Sequence, residues 1–468
     1  METRVELKNW QRVVIIIMGG FLLGGMWRMR GDAGFGSFWG MLCVSLAYCL
    51  FISSVLGYRK KMNYFLFPFL VVSMPLTVNG WGTLNLQPAG ILNDPVGGTF
   101  FFNPFSGVFI MLCLGFCWIS FFAFLMGRYF SEKQYRARDF LLVIVAYYAV
   151  KYLFLATLAH PLLQLTCGDA YRLFVKGLSD IGVTGSPWKI YLQHFNKVKW
   201  AEVITGGRNY FTSINIISSV AGTLAIMGTV LFILKDKLTA KLMLLICSAL
   251  AVSILAADVF HILGSGGYHL NTFTPPQWLK NNSWGYWEYF TGFFAGLSIT
   301  AILVLQDKKS GSKGAEISEK LPNLGKNKWV CYIYSLIVLC VGALSAGIVR
   351  AIASRLDQHG IFSAAGIPMG ITIPVLAIPT FIIFAVVLYR NIIKKNLGQP
   401  FNADFKTFAL TATPIVFSIF TFIDLCVAYT CWDEPSRFGI NFLVGLSLVM
   451  VLAGYLVLRK ALKSSTKA

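Results

Sequence analysis

Arginine, carboxylate and histidine side chains lie at the ends of several long apolar runs in this sequence. Charge at such a depth in a membrane is costly unless it is paired or reaches water, so each of these residues is a functional candidate. A carboxylate in a wet pocket can accept a proton from a hydroxyl group, and a histidine can carry or orient that proton. The candidate catalytic residues are Asp32, Asp258, His261, Glu288 and His359.

Arginine and tryptophan side chains in the same settings suggest what is bound there. Planar guanidinium groups hold a phosphate or diphosphate through paired contacts, and indole faces stack on apolar sugar faces and on cations. The candidate substrate-binding residues are Arg28, Arg30, Arg350, Arg355, Trp27, Trp39, Trp284 and Trp287. Structural alternatives stay open, because arginines also reach lipid phosphates, carboxylates pair with them, and tryptophans form belts at membrane interfaces.

Two further features have more than one interpretation. Asp258 and His261 are three residues apart on one helix face, so with His269 or Glu288 they form an alternative site for a divalent metal. We assign no cofactor on this spacing. Lys151 lies in the middle of an apolar run, and it either pairs with Asp258 or Asp424 or acts as a coupling residue in transport.

The apolar runs must position all of these residues. The chain has 468 residues, of which 56% are hydrophobic and 13% charged, and this composition excludes a soluble protein. Runs of roughly 20 apolar residues recur, each long enough to cross about 30 Å of hydrocarbon as a helix. We expect an all-α polytopic membrane protein with about twelve transmembrane helices. The predicted spans are 12–27, 38–57, 63–79, 105–127, 139–160, 210–234, 240–262, 286–306, 329–350, 361–389, 407–430 and 439–458.

The positive charges predict the direction of the helices. Lys and Arg clusters are retained in the cytoplasm, and with the N-terminus inside all the major clusters fall on one side. Both termini are therefore expected to be cytoplasmic. The net charge of +20 then reflects orientation and anionic lipid, and nucleic acid is not expected as a partner. All five histidines fall on the outer side or at outer helix ends in this topology.

Three segments organise the chain. Residues 1–306 are predicted to be a membrane domain of eight spans, and the polar segment 307–328 a cytoplasmic linker. Residues 329–468 form a four-span domain that is a candidate partial repeat of the N-terminal spans. The outer loop 164–208 contains two amphipathic stretches, Tyr171 to Leu178 and Trp188 to Val203, which we expect to lie along the membrane interface. Residues 79–103 are a candidate re-entrant segment.

The leading functional hypothesis is a membrane transferase that faces the outside of the cell. It would take a group, such as a sugar, from a lipid-linked phosphate donor at the outer leaflet. Asp32, which directly follows the first span, is similar in placement to the loop carboxylate of multi-pass glycosyltransferases. The alternatives are a secondary transporter or lipid flippase with a polar pathway through Lys151, Asp258 and Asp424, and a non-catalytic subunit. Membrane lipids and a lipid-linked or saccharide substrate are the expected partners, in the bacterial inner membrane.

Overall fold

A computed structural model gives the fold of the protein. It describes residues 7–32, 38–56, 67–77, 91–94, 98–101, 104–133, 135–168, 171–172, 175–176, 179, 207–264, 273–280, 282–310, 379, 382, 386, 405–428 and 435–464. The predicted spans at 329–350 and 361–389 lie outside these residues, apart from three isolated helical positions. Most of the linker, from residue 311 onward, lies outside them as well.

The described residues form helices and one small hairpin. The helices are α1 (Asn9–Asp32), α2 (Phe38–Leu56), α3 (Phe67–Ser73), α4 (Pro104–Cys117), α5 (Ser120–Phe130), α6 (Ala137–Thr157), α7 (Ala159–Thr166), α8 (Gly207–Gly228), α9 (Lys237–Ala257), α10 (Val259–Gly264), α11 (Ser283–Ser310), α12 (Phe405–Ala428) and α13 (Pro435–Ser464). The antiparallel strands β1 (Ile91–Asp94) and β2 (Gly98–Phe101) pair with Ile91 opposite Phe101. The expectation of an all-α protein is confirmed apart from this hairpin, which lies within the predicted re-entrant segment.

Several of these helices are long and apolar enough to cross a membrane. The described residues contain six such helices, or seven if α4 and α5, which are bent by 47° relative to each other, form one span. This architecture indicates a multi-pass membrane protein. The predicted span 105–127 therefore contains a break that its continuous apolar sequence does not reveal. In the loop 164–208, the five described residues from Tyr171 to Ser179 are helical, and the second amphipathic stretch lies outside the described residues.

The turn between α8 and α9 shows how a polar group ends one helix and begins the next. Helix α8 finishes in a π-helical turn, Thr229–Ile233, and Asp236 then caps α9 by accepting hydrogen bonds from Thr239 at 3.0 Å (backbone) and 2.7 Å (hydroxyl). The Tyr135 hydroxyl donates a third bond to Asp236 at 3.0 Å. Burial alone would raise the pKa of Asp236, but these hydrogen bonds and one from Ser131 outweigh it, so the pKa is lowered.

The chain divides into two compact units. The first comprises Met1–Leu76 and Glu288–Ala468, and the second comprises Thr77–Trp287. In the first unit α1 packs against α2, α12 and α13, and α2 packs against α12. In the second unit α8 packs against α6 and α4, and α9 packs against α4 and α5. The predicted division at the linker 307–328 stays a prediction.

Glycines bring α1 and α11 into close contact within the first unit. A side chain at Gly296 would meet the carbonyl oxygen of Gly19, and one at Gly24 would lie 3.2 Å from Phe293. Small residues four apart, such as Gly292 and Gly296, let membrane helices approach at backbone distance. Later residues of α1 contact earlier residues of α11, since Gly19 lies beside Gly296 and Gly24 beside Phe293. The two helices are therefore antiparallel.

Candidate functional sites

The first candidate site, which we call the arginine cluster, consists of Trp27, Arg28, Arg30 and Glu288. The antiparallel packing of α1 and α11 continues one turn beyond Gly24 and brings the last turns of α1 beside the first turns of α11. Because Arg28 and Glu288 are 260 positions apart in the sequence, this helix pairing is what places them together.

The geometry of the arginine cluster is that of two guanidinium groups on one carboxylate. An Arg28 Nη1 group donates a hydrogen bond to Oε2 of Glu288 at 3.2 Å, and Arg30 Nη2 lies 3.7 Å from Oε1. The Arg30 guanidinium also lies over the ring of Trp27, 5.3 Å from its centroid. The two arginine side chains are 7% and 1% exposed, and that of Glu288 is 7% exposed.

This arrangement favours a role in binding over a role in proton transfer for Glu288. Each carboxylate oxygen of Glu288 already faces a guanidinium group, so this carboxylate is poorly placed to take a proton from a substrate hydroxyl group. It also fixes the direction of both guanidinium forks. Planar guanidinium groups held in this way are suited to a multiply charged oxyanion such as phosphate.

Tyr289, which sequence reasoning missed, lies next to this cluster on α11. Its hydroxyl group shares a hydrogen bond of 2.8 Å with that of Ser447 on α13, and its side chain is buried. Its position directly after Glu288, itself a candidate residue, is the sequence signal that could have identified it. The contact ties α11 to α13 and so supports the position of Glu288.

The second candidate site, which we call the Asp258 site, lies in the second unit. Asp258 occupies the break between α9 and α10, where its carbonyl oxygen accepts the backbone N–H of His261 at 2.9 Å. Its side chain is 0% exposed, and neither carboxylate oxygen has a hydrogen-bond partner in the described part of the chain. A buried carboxylate without a partner is unusual enough to require an explanation.

Aromatic rings surround His261, which lies one turn after Asp258. Its ring is 4.5 Å from that of Trp284 and 5.7 Å from that of Trp287, and its Nδ1 atom lies 3.2 Å from the Ser283 hydroxyl oxygen. The indole N–H of Trp287 is buried and has no hydrogen-bond acceptor among the described residues. The sequence analysis gave His261 and the two tryptophans as separate candidates, and the structure brings them into contact together with Ser283, which the sequence did not indicate.

Comparisons with protein-family models, with curated proteins and with solved structures gave no match.

The structure describes the remaining candidates unevenly. Arg350, Arg355 and His359 lie outside the described residues, and so do the side chains of Asp32 and Trp39. Asp424 is buried in α12. The Lys151 ammonium lies over the ring of Tyr147 at 5.9 Å, and it forms no ion pair with Asp258.

A divalent-metal site would need more ligands than the described residues bring together. Among them, no group of three or more His, Cys, Asp or Glu side chains is placed to hold a metal ion. His269, one of the residues considered as a third ligand, lies outside the described part.

Proposed function

We propose that the protein is a multi-pass membrane transferase that uses a lipid-linked phosphate donor at the outer leaflet. The topology we propose has twelve spans and both termini in the cytoplasm. It puts the last turns of α1 and the first turns of α11 on the outer side, and their antiparallel packing is consistent with it. The single observation that carries the proposal is the arginine cluster, a buried pair of guanidinium groups fixed by one carboxylate.

The proposed donor site follows from the charges of that cluster. Arg28 and Arg30 bind the phosphate of the donor, and Glu288 holds their forks in position. Trp27 adds an indole face beside Arg30, where it can pack on the transferred sugar or on the lipid. The same guanidinium groups stabilise the phosphate as it leaves, because its negative charge increases when the bond to the sugar breaks.

Acceptor activation is assigned to another carboxylate, because Glu288 is held by two arginines. We propose Asp32, at the end of α1, as the general base. The acceptor hydroxyl oxygen attacks the anomeric carbon of the donor, the bond from that carbon to the phosphate oxygen breaks, and Asp32 takes the hydroxyl proton. His359 is the proposed second proton carrier, and Arg350, Arg355 and Trp39 are further proposed contacts to the substrate.

A secondary transporter or lipid flippase is the second candidate. The observation that favours it is the unpartnered carboxylate of Asp258, since such groups often mark a proton or ion pathway in membrane helices. Lys151 gives this candidate less support. It lies on α6, and only 17% of the apolar stretch of this helix is buried within the protein, as expected for a helix that faces lipid.

The test uses full-length protein in proteoliposomes with a polyprenyl-phosphate-linked hexose as the donor. Replacing Arg28 or Arg30 by Gln should lower turnover roughly 100-fold, the usual effect of removing one charge-stabilising donor. Asp32→Asn should abolish turnover. The matched control is Arg138→Gln, whose side chain is 75% exposed and which should retain full activity.

Two results would count against the transferase. The first is unchanged donor turnover in both Arg30→Gln and Asp32→Asn. The second is loss of solute or lipid translocation in Lys151→Ala, measured in the same vesicles, while no donor is turned over by the wild-type protein. The second result would favour the transporter.

A further inference from the structure

The Asp258 site has properties that the proposed donor chemistry does not use. A carboxylate that is fully buried must be neutralised, either by a proton or by a cation that reaches it. The described residues supply no such cation, because neither oxygen of Asp258 has a partner. What balances this carboxylate is therefore a proton or a cation from outside the described residues.

The backbone around Asp258 favours a positive ligand. Asp258 is the C-terminal cap of α9, a helix of 21 residues. The last carbonyl groups of a helix carry partial negative charge, which attracts cations and repels anions. The carboxylate and the helix end thus act in the same direction.

The helical turn that follows Asp258 is packed in aromatic rings, and this restricts the kind of cation. His261, one turn after Asp258, has the rings of Trp284 and Trp287 around it. The ring of Phe260 stacks on that of Tyr286 at 6.0 Å. A small inorganic ion prefers several oxygen ligands, whereas an organic ammonium group is stabilised by aromatic faces and one carboxylate.

We propose that the Asp258 site binds an organic ammonium group, with Asp258 as the counter-ion and the Trp284 and Trp287 rings as the walls. The ligand class is an amine or quaternary ammonium compound, whether free or part of a lipid head group. This goes beyond the proposed transferase, since it concerns residues of the second unit and holds whether or not the donor chemistry is correct.

The experiment measures choline binding to the full-length protein in detergent by equilibrium dialysis. The reference compound is the neutral carbon analogue of choline, in which a tert-butyl group replaces the trimethylammonium group. Choline should bind saturably and its analogue at least roughly tenfold more weakly, because only choline offers a charge to Asp258. Choline binding is also measured with the protein in vesicles of phosphatidylcholine and in vesicles of phosphatidylglycerol. Weaker choline binding in the phosphatidylcholine vesicles indicates that a lipid head group occupies the site, and equal binding indicates a free amine.

Two variants make the assignment specific. Asp258→Asn should weaken choline binding by roughly tenfold or more, and Trp284→Leu should weaken it by roughly threefold to thirtyfold. Trp284 is 38% exposed, so its replacement should leave the fold intact even if Asp258→Asn does not purify as a folded protein. The matched control is Asp307→Asn, a buried aspartate of the other unit, which should bind choline like the wild type.

Three results would overturn the proposal. They are equal binding of choline and its carbon analogue, unchanged binding in Trp284→Leu, and full displacement of choline by an equal concentration of potassium. Loss of hexose transfer alone does not bear on this site, and loss of choline binding alone does not bear on the arginine cluster.

Discussion

Replacing Glu288 by Gln should be the most destabilising single change in the arginine cluster. The side chain keeps its shape but leaves two buried guanidinium groups without their shared counter-charge. Breaking a buried ion pair from one side costs about 3–5 kcal/mol. At an effective dielectric constant of about 20, unit charges at the two observed separations attract by about 5 and about 4.5 kcal/mol before desolvation is counted. The loss of both attractions is compatible with the upper part of that range.

The two arginines should differ in their coupling to Glu288. Arg28 makes a hydrogen bond at 3.2 Å, whereas Arg30 at 3.7 Å lies beyond hydrogen-bond distance. A hydrogen bond to a charged group contributes about 1.5–3 kcal/mol, so we expect a coupling energy of about 2 kcal/mol with Arg28 and about 1 kcal/mol with Arg30. The assay is a double-mutant cycle on the free energy of unfolding, measured by denaturing-detergent titration in mixed micelles.

The control for this cycle is the pair of Arg138 and Asp139, whose closest charged atoms are also 3.7 Å apart and whose side chains are 75% and 18% exposed. Its coupling should be below about 0.5 kcal/mol, because water screens it. A coupling with Arg30 larger than that with Arg28, or couplings as small as that of the control, would refute the reasoning from distance and burial.

Three further predictions concern the scaffold. Gly296→Val should destabilise the protein by about 1–3 kcal/mol in the same titration because its side chain would meet the backbone of α1, whereas Gly445→Ala, with nothing within 4 Å, should be neutral or slightly stabilising. The pKa of Asp236 is lowered in the folded state, so its contribution to the free energy of unfolding is present above the ordinary pKa of 3.8 and is lost as the pH falls through the folded-state pKa. Asp236→Asn should therefore cost about 1 kcal/mol at pH 7 and flatten the acid limb of a stability–pH curve. A cysteine introduced at Lys280 should react with an impermeant maleimide in intact cells, and one introduced at Glu132 should not. The labelling of the native cysteines in the wild-type protein is measured as the background. The reverse pattern would contradict the proposed topology.

The helices were predictable because their signal is local. The run predicted as 286–306 is the core of α11, and that predicted as 210–234 matches α8 and its π-helical turn within a few residues. In each case about 20 consecutive apolar residues determine a helix without reference to the rest of the chain. The 47° bend between α4 and α5 was not predictable, because the apolar run continues through it and only tertiary packing reveals the break.

The sequence predicts which residues belong to the arginine cluster better than it predicts which of them contact each other. Arg28 and Glu288 are both costly in a membrane, which the sequence shows, but their pairing depends on which helix packs against α1. That choice depends on the glycines Gly24 and Gly292, whose role is visible only when both helices are placed. The hairpin at 91–101 shows the same limit, because each of its strands has only four residues and too short a pattern to predict the pairing.

Glu288 and Asp258 show why the partners of a residue determine its role more than its type or depth. The sequence presents both as carboxylates near the end of a membrane helix and predicts the same role of general base for both. The structure surrounds Glu288 with two cations and gives Asp258 no partner among the described residues. A carboxylate held by fixed cations positions them, whereas one without a partner is available to a proton or to a ligand that brings its own charge. The two residues should therefore respond oppositely to neutralisation, with Glu288→Gln acting mainly on stability and Asp258→Asn mainly on binding.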